Sequence, residues 1–142
     1  HRGHGRSGGK RGFVRTFDEF TRDLASASLH ARDIWPGDLP TGWIAHSMGA
    51  LVALRYLQEG VGAPPDCAVL SAPWLRTKAA IPPMLRRTAS FLDRVWPSAP
   101  LTNRQASPDR LTRDPVMAAA WLADPLIPST VTPRLYFEAE RA

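Results

Sequence analysis

The stretch from Trp43 to Ser71 constrains the fold more tightly than any other part of the sequence. "WIAH" is a short apolar run, and a helix-forming run, "MGALVALRYLQEG", begins almost at once after Ser47. That helix closes at Gly60, the residue type best suited to the left-handed conformation at a helix C-terminus. After the loop "VGAPPD", a second apolar run follows, "CAVLSAP". Strand, helix and strand at this spacing fold as a βαβ unit, with parallel strands and a right-handed crossover. Neither strand alternates polar with apolar residues, the pattern expected of a sheet covered on both faces. The fold class is therefore α/β.

The flanks extend this unit. "HRGHGRSGGKRG" is a glycine-rich loop, too flexible for helix or strand. In "TFDEFTRDLASASLHAR", Thr16 and Glu19 fit a capping box, and Phe17, Phe20, Leu24 and Ala27 recur at helical spacing. "WPGDLPTG" then breaks the helix. Residues 76–142 are helical in pattern, rich in Pro and Arg, with no convincing strand. "IPPMLRRTASFLDRVWP" places Ile81, Met84, Leu85, Thr88, Phe91, Leu92, Val95 and Trp96 on one apolar face. "LTRDPVMAAAWLADPL" and "VTPRLYFEAERA" give two further short helices, each with a proline near its first turn. The chain thus divides into 1–75, a piece of an α/β sheet, and 76–142, a helical region. Two readings of that region stand side by side: a lid over a site, or a helical subdomain that packs its stripes into a core.

Composition removes several classes of function. No apolar run approaches the ~20 residues of a membrane span. Cys67 is the only cysteine, which leaves no internal disulfide and no thiolate metal cage. Its setting in "PDCAVLSAP" reads as a small buried apolar residue rather than a reactive thiol. The net charge is +5, and the densest basic stretch is Arg2, Arg6, Lys10, Arg11 and Arg15, interleaved with glycines. No aromatic platform or nucleic-acid module accompanies it, so a nucleic-acid partner is not expected.

Ser47 stands where the backbone must turn most sharply. A nucleophile elbow needs a serine at a strained strand-to-helix turn and small residues two before and two after it. It also needs the next N–H aimed at the developing oxyanion. Ala45 and Gly49 flank Ser47 at those two positions; the usual pattern has glycine at both. The alternative is a serine that only caps the following helix.

The residues that carry a wider resemblance are "HRGHGRSGGKRG", "AHSMGALVALRYL", "LSAPWL" and "LTRDPVMAAAWLADPLIPSTVTPRLYFEAERA", in that order. Together they resemble the monoacylglycerol lipase and lysophospholipase branch (serine aminopeptidase-like) of the α/β-hydrolase superfamily, across essentially the whole chain. The resemblance implies a partial α/β-hydrolase core with a helical cap. It implies Ser47 as the nucleophile and the Met48 backbone N–H as an oxyanion donor. Ala45, His46 and Gly49 would shape the elbow, with His46 not the catalytic base. His4 matches a loop-structuring position and Ser7 a turn.

In this family the acid and base follow the cap, in the order serine, aspartate, histidine. Asp93, Asp109, Asp114 and Asp124 lie in or near the cap-like region and match neither role, and His30 lies in the first helix. The chain therefore resembles the middle of a hydrolase, with the catalytic acid, the base and the second oxyanion donor elsewhere. As given, the 142 residues are expected neither to catalyse nor to be independently stable.

The implied activity of the full protein is hydrolysis of a carboxylic ester, a monoacylglycerol, lysophospholipid or related single-chain lipid, with no cofactor and no metal. Phe91, Leu92, Val95 and Trp96 would line an acyl-chain site or pack the cap, and the cap allows transient contact with a membrane surface. Amide or thioester hydrolysis begins with the same acyl transfer and stays open. So does a non-catalytic binding role for the basic loop. Dehalogenase chemistry is disfavoured, because it places aspartate where Ser47 stands.

Overall fold

The computed structural model describes residues 1–35, 39–76, 81–102, 108 and 112–142. Its elements in chain order are α1 (Asp18–Ile34), β1 (Gly42–His46), α2 (Met48–Glu59), β2 (Cys67–Ser71), α3 (Pro83–Val95), β3 (Leu101–Thr102), α4 (Pro115–Ala123), β4 (Thr130–Val131) and α5 (Pro133–Arg141). They fall into two compact units, Thr16–Ala80 with Glu138–Ala142, and His1–Arg15 with Ile81–Phe137. The grouping departs from the 1–75 and 76–142 division at both ends of the chain.

The first unit is built on the βαβ segment. β1 and β2 pair in parallel, in register from Gly42–Cys67 to His46–Ser71. α2 packs against the sheet and α1, with Ala50, Leu51, Val52, Ala53 and Tyr56 all buried. Trp43 of β1 meets Tyr56 edge-on at 5.0 Å between ring centroids, and the Tyr56 hydroxyl donates to the Ala63 carbonyl. Gly60 ends α2 at φ 63°, ψ 37°, the left-handed cap expected of it. α1 packs beside α2 and buries Phe20 and Thr21, while Phe17 is buried just ahead of its first turn.

The start of the sheet is pinned by a reciprocal pair. The Thr41 N–H donates to Asp66 Oδ2 at 2.6 Å, and the Asp66 and Cys67 N–H groups donate to the Thr41 carbonyl. The Thr41 N–H holds the Asp66 carboxyl below its ordinary acidity range. A depressed folded-state pKa stabilises the fold above the unfolded value and is lost as pH falls through the folded one. The gap in melting temperature between the wild-type whole protein and Asp66→Asn should therefore close on acidification below about pH 4. A gap independent of pH would remove the role assigned to this carboxylate.

In the second unit the glycine-rich loop is an ordered turn. The Arg11 guanidinium donates to the carbonyls of Gly5 (2.7 Å), Ser7 and Gly9 (3.2 Å). Gly3 lies at φ 71°, and a Cβ there would sit 2.6 Å from the Lys10 carbonyl oxygen, so no other residue fits. Gly12 offers its carbonyl to both the N–H and the hydroxyl of Thr132. α3 opens on Pro83, and its buried residue is Asp93, 9% exposed and paired with Arg134 Nε at 2.6 Å. A charge buried this far needs such a partner. The apolar stripe of α3 faces the other way: Met84 is 82% exposed, Phe91 64% and Trp96 56%.

Several expectations are corrected. Thr16 does not cap α1 through its side chain; the Phe17 N–H instead donates to Glu138 Oε2 at 2.9 Å, a partner 121 residues away that no local motif announces. The stripe on α1 is buried only at its start, with Leu24 half-buried and Ala27 exposed. The sheet is covered on one face; on the other, Ile44 and its partner Val69 are 88% and 58% exposed. Cys67, expected to be buried, is exposed on the same small sheet. The helical half does contain strand structure, since β3 and β4 form an antiparallel pair. Two-residue strands are too short to show an alternation. In the stripe of α3, Met84, Leu85, Phe91, Val95 and Trp96 are exposed and Leu92 is half-buried.

Candidate active site

At the end of β1 the chain passes from extended to helical backbone within one residue. Ser47 takes φ 53°, ψ −119°, a conformation that costs a non-glycine residue about 1–3 kcal/mol and persists only when its surroundings over-determine it. They do so at both of its peptide groups. The Ser47 N–H donates to the Ser71 carbonyl at 3.0 Å, which continues the parallel ladder one residue past β1. The Ser47 carbonyl accepts from Ala50 and Leu51 in the first turn of α2, and from Trp74 at 3.1 Å.

The strain leaves the side chain at the surface. Ser47 occupies the N-cap position of α2, yet its hydroxyl makes no capping hydrogen bond. The capping role weighed against a nucleophile is therefore not what this side chain does. Met48 and Gly49 form the first turn of α2, where helical N–H groups have no partner within the helix. Among the described residues the Met48 N–H meets no backbone acceptor. Ala45 is half-buried on the face of the sheet that α2 covers, and His46 is exposed with Nδ1 3.1 Å from the Ser71 hydroxyl. Among the described residues no hydrogen bond joins the His46 ring to the Ser47 hydroxyl. His30 is exposed on α1 and is not hydrogen-bonded to Ser47.

The remaining candidates separate into structural tasks. Asp93 pairs with Arg134. Asp114 caps α4, its Oδ1 accepting from the N–H of Val116 at 2.8 Å and of Met117. Asp124 closes a turn by accepting from Leu126. Asp109 lies outside the described residues. His4 bonds through Nδ1 to the Arg2 carbonyl, and the Ser7 N–H closes a turn on the His4 carbonyl. Phe91, Val95 and Trp96 are exposed and Leu92 is half-buried. In the basic loop, Arg11 holds loop carbonyls and Lys10 Nζ lies 2.5 Å from Ser98 Oγ, so these two cations already have internal partners. The contribution of Ser71, Ala72 and Trp74 to the elbow is not legible in "LSAPWL", because a residue before proline is biased toward extended backbone. Ala72 nonetheless takes φ 43°.

An exposed serine on a strained turn between a parallel strand and its crossover helix is the arrangement of the α/β-hydrolases. The fold is also found in solved structures. The monoacylglycerol lipase of Paleococcus ferrophilus superposes with a TM-score of 0.77 at 25% identity, over 99% of this chain and 53% of that one. A soluble variant of monoglyceride lipase from Saccharomyces cerevisiae, solved with a substrate analog, shares the fold at a TM-score of 0.69 and 18% identity, over 99% and 47%.

All of residues 1–142 match the family described as serine aminopeptidase, S33, and the chain belongs to that family. Among curated relatives, a monoacylglycerol lipase of Mycolicibacterium smegmatis is 36% identical over 129 residues, 89% of this chain and 44% of the relative. A monoglyceride lipase homolog of Monkeypox virus is 25% identical over 130 residues, with the same two shares. The chain spans about half the length of the relatives it matches.

Proposed function

We propose that the whole protein is a serine hydrolase of carboxylic esters, acting on monoacylglycerols or related single-chain lipid esters. In this reading residues 1–75 are hydrolase core and 76–142 are cap. The observation that carries it is the backbone of Ser47, a strained, surface-exposed serine at the head of α2 whose hydroxyl has no capping task. The relatives named as monoacylglycerol lipases support the substrate class.

The chemistry follows from that geometry. Ser47 Oγ attacks the ester carbonyl carbon, and its proton passes to a histidine outside these 142 residues. The carbonyl oxygen becomes an oxyanion that accepts a hydrogen bond from the Met48 N–H, at a helix N-terminus where partial positive charge already favours an anion. The tetrahedral intermediate collapses, the C–O bond to glycerol breaks, and the leaving oxygen takes the proton. Water then attacks the acyl-enzyme by the same route in reverse and frees the fatty acid and Ser47. A fluorophosphonate probe applied to the whole protein should label Ser47. Absence of labelling, with no ester turnover, would favour the non-catalytic reading.

The family description favours a second reading, amide hydrolysis. Ester and amide substrates bearing the same acyl chain separate the two, and the ester should turn over faster by a wide margin. The open apolar face of α3 bears on specificity. If it receives the acyl chain, Phe91→Ala should weaken transition-state binding of long-chain esters by about 1–3 kcal/mol in kcat/KM and spare short-chain esters. An acyl-chain role predicts a melting temperature nearly unchanged by this substitution, whereas a role in packing the cap lowers it. Equal losses at every chain length would place the acyl chain elsewhere.

A further inference from the structure

Among the described residues only two that are not glycine have positive φ, Ser47 and Ala72, and they belong to the same hydrogen-bonded loop closure. β1 ends at His46 and β2 at Ser71, which are partners in the parallel register. One residue past each strand end, both chains enter the left-handed half of φ space. The consequence at Ala72 is that the chain doubles back, so that the Trp74 N–H reaches the Ser47 carbonyl at 3.1 Å. Ser71 is bound twice on the same side. Its carbonyl accepts the Ser47 N–H at 3.0 Å, and its hydroxyl lies 3.1 Å from Nδ1 of His46.

The two residues of the register pair and the strained residue beyond them are thus closed into one ring of contacts: Ser47 N–H to Ser71, Ser71 hydroxyl to His46, Trp74 N–H back to Ser47. Without it, the peptide planes on either side of Ser47 would be fixed only by the first turn of α2. An elbow held from the helix side alone is free to relax toward ordinary backbone, which would swing Oγ and the Met48 N–H away from their common target.

We propose that the Ser71–Trp74 turn is a brace for the nucleophile elbow and that Ser71 is a positioning residue, acting on Ser47 through His46. This rests on Ser47 being the nucleophile. A single neutral hydrogen bond of this kind adds little net to global stability. Its effect should fall on the geometry of the reacting serine and hence on kcat. That separates a positioning role from a merely structural one.

The test uses the whole protein, with p-nitrophenyl ester turnover and the rate of fluorophosphonate labelling as readouts. Ser71→Ala should lower kcat and the labelling rate by about tenfold, with KM changed less than twofold and the melting temperature nearly unchanged. Ser71→Thr, which keeps the hydroxyl, should recover most of the loss. His46→Leu cuts the other end of the same bond, and the double variant Ser71→Ala/His46→Leu should be little worse than His46→Leu alone. Wild-type kinetics in Ser71→Ala, additive losses in the double variant, or a loss of activity that tracks a lowered melting temperature and is not rescued by Thr would each overturn the brace. Ser47→Ala in the same assays checks the underlying reading. If that variant still turns over, the nucleophile assignment fails; if it is inactive while Ser71→Ala is normal, only the brace fails.

Discussion

If Ser47 is the nucleophile proposed above, Ser47→Ala in the whole protein should lower kcat for ester hydrolysis by about 10⁴-fold or more, because a nucleophile and its base act as a unit and the loss of one forfeits both. KM changes little, since binding of the ester does not require the hydroxyl. Stability changes little as well. The hydroxyl makes no capping bond, and alanine meets the same backbone demand at φ 53° that serine already meets. The measurement is steady-state turnover of an ester alongside a thermal melt of the same preparation. Near-normal turnover would show that another group performs the attack, and the strain at Ser47 would then need a different explanation. A large drop in melting temperature with the loss of activity would instead mean that the serine supports the fold.

Much of this site is legible from local sequence, because its determinants are local. The two strands, α2 and its closure at Gly60 are fixed by the apolar runs between Trp43 and Ser71 and by one glycine, and the structure places them within a residue or two of expectation. Ser47 is conspicuous because a hydroxyl and two small neighbours interrupt an otherwise apolar strand–helix junction. What stays hidden depends on partners distant in the chain. Glu138 caps the start of α1 from 121 residues away, and Arg134 decides that Asp93, rather than Phe91 or Trp96, is the residue α3 turns inward. A helical wheel alone would have buried the apolar stripe, because periodicity identifies a face without saying what meets it. The turn after β2 is hidden for a third reason. Ala72 adopts a φ that neither alanine nor a following proline favours, so local preference points away from the conformation that long-range hydrogen bonds impose.

Produced by itself, the 142-residue chain is expected to give no ester turnover above background and a broad or absent thermal transition. Among the described residues its parallel sheet has two strands, and a parallel pair is normally buried on both faces. Here one face is open at Ile44 and Val69, and the free edges of β1 and β2 present unpaired N–H and C=O groups that template association. The stripe of α3 adds Met84, Leu85, Phe91 and Val95 to the apolar surface in contact with water. At roughly 25 cal/mol per Å², leaving a few hundred Å² of such surface unburied forfeits about 5–10 kcal/mol, comparable with the ~5–15 kcal/mol that stabilise an entire domain. Catalysis fails independently of folding. Among the described residues neither His46 nor His30 is hydrogen-bonded to the Ser47 hydroxyl, so no base is engaged with it. The checks are calorimetry and a p-nitrophenyl ester assay on the purified 142-residue chain. A sharp cooperative melt together with hydrolysis that Ser47→Ala abolishes would defeat the claim, since such a chain would carry both a closed core and a base within these residues.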